Sequence, residues 1–87
     1  MWFVYILRCA DNSLYIGETS DLESRLARHR DGIASSFTGQ RRPVVLVYYE
    51  THANRDTALK RERQLKSWTR AKKEALIARD LALLKAL

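Results

Sequence analysis

Three short runs in the chain are apolar almost without interruption, and between them lie polar clusters and helical stripes. Trp2-Phe3-Val4-Tyr5-Ile6-Leu7 has bulky β-forming residues at odd and even positions alike, the pattern of a strand covered on both faces, and predicts a central strand. Asp11-Asn12-Ser13 supplies turn chemistry and Leu14-Tyr15-Ile16 resumes a β pattern, so the two runs predict a hairpin, ended by Gly17. Ser20 and Glu23 have capping-box spacing, and Leu22, Leu26 and Ile33 form a helical stripe closed by Gly32, which predicts a helix over about 21–31. The polar stretch from Gly32 to Pro43, with Arg41-Arg42-Pro43 at its end, predicts a long loop, a kind of segment that is often functional.

Val44-Val45-Leu46-Val47-Tyr48-Tyr49 predicts a third strand. Asn54 can cap the next helix, on which Ala58, Leu59, Glu62, Leu65 and Lys66 fall at i, i+1, i+4, i+7 and i+8. Thr69 can cap a last helix that packs through Leu76, Leu83 and Leu84. The order is β-β-α-β-α-α, without repeats, low-complexity tracts or linkers. An α+β domain with a small three-stranded, antiparallel-containing sheet flanked by helices satisfies it most simply.

Size and charge narrow the picture. Eighty-seven residues suffice for one domain over 1–87, with a core of about 1–68 and a C-terminal helix of about 69–87. A 46% hydrophobic share excludes a disordered chain. The apolar runs are too short to cross a bilayer and no secretory pattern opens the chain, so the expectation is a cytoplasmic protein that does not enter a membrane. Cys9 is the sole cysteine, which rules out an internal disulfide, and with two histidines there is no Cys/His cluster for zinc. The net charge of +6 is local: residues 55–73 hold eight basic side chains against two acidic ones, and the remainder sums to zero. Such a patch fits a polyanion, most commonly nucleic acid, although a solvated helix face would read the same way.

Three groups of residues could carry chemistry. Glu62 interrupts the apolar stripe of its own helix, where a carboxylate needs a cation, a salt bridge or hydrogen bonds. Arg25 and His29 stand at i and i+4 on one helix face, able to clamp phosphate oxygens and to pass a proton, or else solvated beside the core. Tyr5 and Tyr15 lie on adjacent strands, where aromatic residues usually serve as packing. A two-residue turn at Asp11-Asn12 would put the two tyrosines on opposite sheet faces, whereas a three-residue turn, Asp11-Asn12-Ser13, or a bulge would bring them together. The shared face is the expectation.

Phe3-Val4-Tyr5, nine residues, then Tyr15-Ile16-Gly17 resembles the paired triplets of the GIY-YIG nucleases. Arg25, eight positions after Gly17, and Glu62 on a later helix match that family's arginine and glutamate. The resemblance spans nearly the whole chain and is nearest to the small stand-alone bacterial YhbQ-like group, which Arg41-Arg42-Pro43 and the stretch from Lys66 to Leu76 also resemble. Phe3 replaces the first glycine, Glu18 stands where some repair members carry lysine, and no asparagine follows Trp68 as it does in others.

The resemblance implies a metal-dependent endonuclease hydrolysing phosphodiester bonds in DNA, structure-directed and of low sequence specificity, with a place in repair or recombination. It implies Mg²⁺ or Mn²⁺ on Glu62, phosphate binding by Arg25, and proton removal by Tyr5 or Tyr15 with or without His29. Arg41, Arg42, Lys60, Arg61, Lys66, Arg70, Lys72 and Lys73 are the expected nucleic-acid contacts, and a protein partner could supply specificity. The competing readings are a catalytically weak nucleic-acid-binding module, a subunit of a partner nuclease, and an interaction domain for an acidic protein.

Overall fold

The computed structural model describes all 87 residues. Its elements are β1 (Trp2–Arg8), β2 (Leu14–Thr19), α1 (Leu22–Arg30), α2 (Ser36–Gly39), β3 (Val45–His52), α3 (Arg55–Lys66), α4 (Arg70–Ile77) and α5 (Leu81–Ala86). The strands form one antiparallel sheet in the order β2-β1-β3, so β1 is central, as its two-sided apolar pattern requires. The α+β architecture expected from the sequence is the one observed. No helix is long and apolar enough to cross a membrane.

The hairpin settles the parity question. The Cys9 N–H donates to the Ser13 carbonyl, which leaves residues 10–12 as a three-residue turn with Asn12 in the left-handed region at φ 70°. The turn lies one residue earlier than expected, but its odd length sets Tyr5 opposite Gly17 and Leu7 opposite Tyr15. All four therefore project from one face. On the other side of β1, pairing with β3 slips between Ile6 and Leu7, whose partners are Tyr48 and Leu46. Val47 is the extra residue, and this bulge lets both Val47 and Tyr48 join the same core.

That core lies on the even-numbered face of β1. Val4, Ile6, Ile16 and Tyr48 meet Ala58 and Leu65 of α3 and Leu76 of α4, with Trp2, Trp68 and Leu84 at its margin. Two polar anchors surround it. Glu50 accepts hydrogen bonds from Tyr48 and Arg61 and pairs with His52, joining β3 to α3. Arg8 donates twice to Glu74, fastening the end of β1 to α4. The odd-numbered face is covered by α1 and α2.

Several local expectations need correcting. Asp21, not Ser20, caps α1, its carboxylate accepting from the Ser24 N–H at 3.1 Å. Gly17 does not end β2, which continues to Thr19, and β3 runs on to His52. The 32–43 segment contains the helical turn α2, capped by Ser35. The last helix breaks in two at Arg79, which sits at φ 56° after α4, and Asp80 caps α5. Ile33 and Leu83, expected to pack, are 65% and 48% exposed. Gly32 takes a positive φ and turns the chain before Ile33 can extend the α1 stripe.

Candidate active site

Gly17 decides where the phenol of Tyr5 goes. A Cβ at Gly17 would stand 2.5 Å from Tyr5 Oη and 2.6 Å from Cζ, so the Tyr5 ring lies across the bare backbone of β2 with its hydroxyl toward that strand's side of the sheet. There it meets His29 from the last turn of α1, with Oη 2.9 Å from Nε2. His29 Nδ1 lies 2.8 Å from Oγ1 of Thr38 on α2, and the Thr38 hydroxyl donates on to the Ser35 carbonyl at 3.4 Å. Tyr5, His29 and Thr38 are all fully buried.

Burial fixes the protonation of this chain. Desolvation pushes the Tyr5 phenol up to about 12, the neighbouring Tyr15 adds to the rise, Arg25 opposes it and Glu62 adds a little. His29 is lowered from its ordinary 6.5, first by burial and then by the Arg25 charge. At neutral pH the imidazole is therefore uncharged and carries one ring proton. If the Thr38 hydroxyl donates to Ser35, the ring proton belongs on Nδ1 and Nε2 is left to accept from Tyr5.

Tyr15 stands at the outer side of this chain, its ring centroid 6.4 Å from Tyr5, 5.2 Å from His29 and 6.1 Å from Phe37. Arg25, one helical turn before His29, is half-buried and absent from all the ion pairs of the chain. A guanidinium in that position lacks its natural anion. Glu62 enters from α3, on the opposite side of the sheet, near enough for its charge to act on Tyr5. Its side chain is 18% exposed, and its one ionic partner is Lys66 at 3.5 Å. Tyr5, Tyr15 and His29 are thus in mutual contact, with Arg25 and Glu62 close enough for their charges to act on Tyr5.

The basic residues divide into two sets. Arg41 donates to Asp11 and to the Phe37 carbonyl, Arg42 to the Gly39 and Arg30 carbonyls, Arg61 to Glu50 and Gln64, and Arg70 to Glu74. These arginines are tied into the fold. Lys60, Lys72 and Lys73 are not so held, and Lys66 has only its 3.5 Å pair with Glu62: Lys72 lies over the Trp68 ring, and Lys66 and Lys73 line a recess beside Tyr15.

Sequence reasoning missed Thr38, which orients His29, and Phe37, which faces Tyr15. The available signal was Ser35, a residue suited to cap a helical turn, followed by an aromatic residue in an otherwise polar loop. It also treated Gly17 as a strand end, whereas its role is to make room for a ring.

Comparison with known proteins bears on the family and the fold. Residues 1–75 match the GIY-YIG catalytic domain. Over 75 residues, 86% of this chain, the sequence is 45% identical to a UPF0213 protein of Bacillus pumilus, covering 76% of that relative. It is 44% identical over 75 residues to a UPF0213 protein of Staphylococcus haemolyticus, covering 92% of it. The solution NMR structure of a UPF0213 protein from Bacillus halodurans superimposes with a TM-score of 0.59 at 35% identity, over 90% of this chain and 84% of that one. The paired tyrosine triplets, the three-stranded sheet and these relatives agree, and the chain belongs to the GIY-YIG catalytic-domain family, within its UPF0213 group.

Proposed function

We propose that the chain is a divalent-metal-dependent endonuclease that hydrolyses phosphodiester bonds in DNA, selecting substrate by backbone shape more than by base sequence. The observation that carries this reading is Arg25, a half-buried cation without a carboxylate, beside a hydrogen-bonded Tyr5–His29–Thr38 chain. A phosphodiester supplies the anion that Arg25 lacks, and paired guanidinium donors can follow the charge that develops on its non-bridging oxygens.

The proton has a route through the chain's own residues. As water attacks phosphorus and the bond to the leaving oxygen breaks, the water proton passes to Tyr5 Oη while the phenolic proton passes to His29 Nε2, leaving a neutral phenol and an imidazolium whose Nδ1–H stays on Thr38, and the leaving oxygen takes its proton from solvent. A tyrosine held at about 12 does not need to ionise beforehand in such a transfer, and a depressed histidine is ready to accept. Tyr5 is the phenol within hydrogen-bond reach of His29, so it takes this role, and Tyr15 faces the substrate.

Glu62 would hold one Mg²⁺ or Mn²⁺. No group of three or more His, Cys, Asp or Glu side chains is placed to hold a metal by itself, which suits a hard cation that keeps its waters and shares substrate phosphates. Glu18, next to Gly17 on the side of β2 that faces α3, has one buried oxygen without a hydrogen-bond partner, an acceptor for such a hydrated ion. When bound, the ion supplies Lewis-acid polarisation of the phosphate and offsets charge on the leaving oxygen. Lys60, Lys66, Lys72 and Lys73 provide the phosphate platform. On this reading the protein serves DNA repair or recombination in the cytoplasm, with any sequence preference coming from a partner.

The complete burial of Tyr5 favours a second reading, a nucleic-acid-binding module or a subunit of a partner nuclease, because water must displace neighbouring side chains to reach the phenol. Labelled branched and linear DNA with Mg²⁺ or Mn²⁺, tested beside Glu62→Ala and Arg25→Ala, separates the two. Metal-dependent cleavage lost in both variants supports the endonuclease. Binding without cleavage supports the module, and cleavage unchanged in both variants identifies a contaminant.

A further inference from the structure

We propose that the recess at the open edge of β2 is a nucleobase subsite, in which one unstacked base of the substrate lies against Phe37 and Tyr15 while Lys66 and Lys73 meet its flanking phosphates. The inference rests on the endonuclease reading above for its substrate and adds Phe37, which that reading does not use. The recess holds about 240 Å³ and is lined by Leu14, Tyr15, Ile16, Phe37, Lys66 and Lys73. Pockets that enclose drug-sized molecules run from roughly 300 to 1,000 Å³, so this one suits a single planar ring system.

Its chemistry is divided as a nucleotide requires. Two aromatic rings, 6.1 Å apart and inclined by 30°, stand on one side, and two ammonium groups from α3 and α4 stand on the other. Phe37 is 37% exposed, yet it is held firmly: the Arg41 guanidinium lies 3.9 Å from its ring centroid, and Asp11 and the Phe37 carbonyl fix that guanidinium in turn. An exposed ring fixed by its neighbours loses little freedom when a base stacks on it. The recess also borders an unpaired strand edge. With Cys9 and Ser13 hydrogen-bonded, the alternation of an antiparallel ladder turns the backbone groups of Leu14 and Ile16 away from β1, where they can meet a base or a phosphate. Because Tyr15 belongs to both this recess and the Tyr5–His29 cluster, the bound base would neighbour the scissile phosphate.

The test measures binding, not cleavage. Ten-nucleotide single-stranded DNA, carrying 2-aminopurine at each position in turn, is titrated with the full chain in EDTA. The expected result is fluorescence quenching focused on one position, lost in Phe37→Ala with Kd weakened roughly 5- to 100-fold and preserved in Phe37→Trp. Lys73→Gln should keep the quenching but lower the salt dependence of log Kd by about 0.7, the increment for one phosphate contact on a single strand. Thermal unfolding checks that Phe37→Ala is folded, and Phe37→Leu replaces it if it is not. Quenching at no position, or a folded Phe37→Ala or Phe37→Leu that binds and quenches like the parent, overturns the subsite. A chain that binds and quenches but never cuts DNA with metal overturns the endonuclease reading alone.

Discussion

Val4 and Ile6 leave β1 toward α3 and α4, Tyr5 leaves it toward α1 and α2, and the two sides of the sheet are closed by different means. On the first side a continuous apolar cluster is bordered by the Glu50 hub and the Arg8–Glu74 pair, where each charge has its partner. On the second, the interior is a file of polar atoms from Tyr5 through His29 to Thr38, covered by a nine-residue helix and a four-residue turn. Arg25 remains there without a counter-ion. The first face holds the chain together through its apolar cluster and leaves Glu18 and Glu62 only at its β2 margin, whereas the second keeps hydrogen-bonding capacity and charge in its interior. In so small a protein the division is feasible because both faces share one central strand, so stability gained on one side positions groups on the other.

The comparison can be broken by substitutions that respect the faces. Leu65→Ala, at the centre of the apolar side, should cost about 2–5 kcal/mol in urea unfolding while the cleavage rate per folded molecule stays near the parent's. Arg25→Ala on the other side should lower the cleavage rate about 10²-fold, equivalent to about 2.7 kcal/mol of barrier, with the unfolding midpoint little changed. If Arg25→Ala instead unfolds the protein, the division between faces is wrong. Gly17→Ala joins the two properties, since its methyl group must displace the Tyr5 ring. A loss of about 1–3 kcal/mol is expected together with most of the activity.

The smallest effect is in pH dependence, and it sharpens the contrast. The Arg8 guanidinium, with help from Arg70, holds Glu74 down at about 2 against an ordinary 4.5. Its contribution to stability is therefore complete above pH 4.5 and lost as pH falls toward 2. His29 is also lowered in the fold, so the unfolded chain takes up a proton first and stability declines as pH falls below 6.5. Thermal midpoints measured across this range should show two acid-side declines, with His29→Gln removing the upper one and Glu74→Gln reducing the lower, to which Glu50 and Asp11, also held below their ordinary values, contribute the rest.

Much of this was legible in the residues. The central position of β1 followed from apolar side chains on both its faces, and the shared face of Tyr5 and Tyr15 followed from turn parity even though the turn itself lies one residue earlier. Glu62 interrupts an apolar stripe in the sequence, and in the fold its side chain is 18% exposed on α3 beside Lys66. What could not be read were contacts between segments distant in sequence. Thr38 meets His29 because α2 folds back over α1, and no periodicity in a polar loop specifies that. The partners of Arg41 and Arg61 were likewise invisible: a basic side chain looks the same in sequence whether it faces phosphate or, as these do, Asp11 and Glu50.

The fit of Tyr5 over Gly17 has a consequence for how such hairpins can change over time. The ring and the missing side chain form one steric unit spread across two strands, so neither position varies freely while the other is kept. A descendant that lost the phenol would be released from the glycine, and any side chain could then enter β2 at that point. Among hairpins of this design, a filled glycine position should therefore mark those in which the phenol has been lost or displaced, and it could be recognised without measuring a rate.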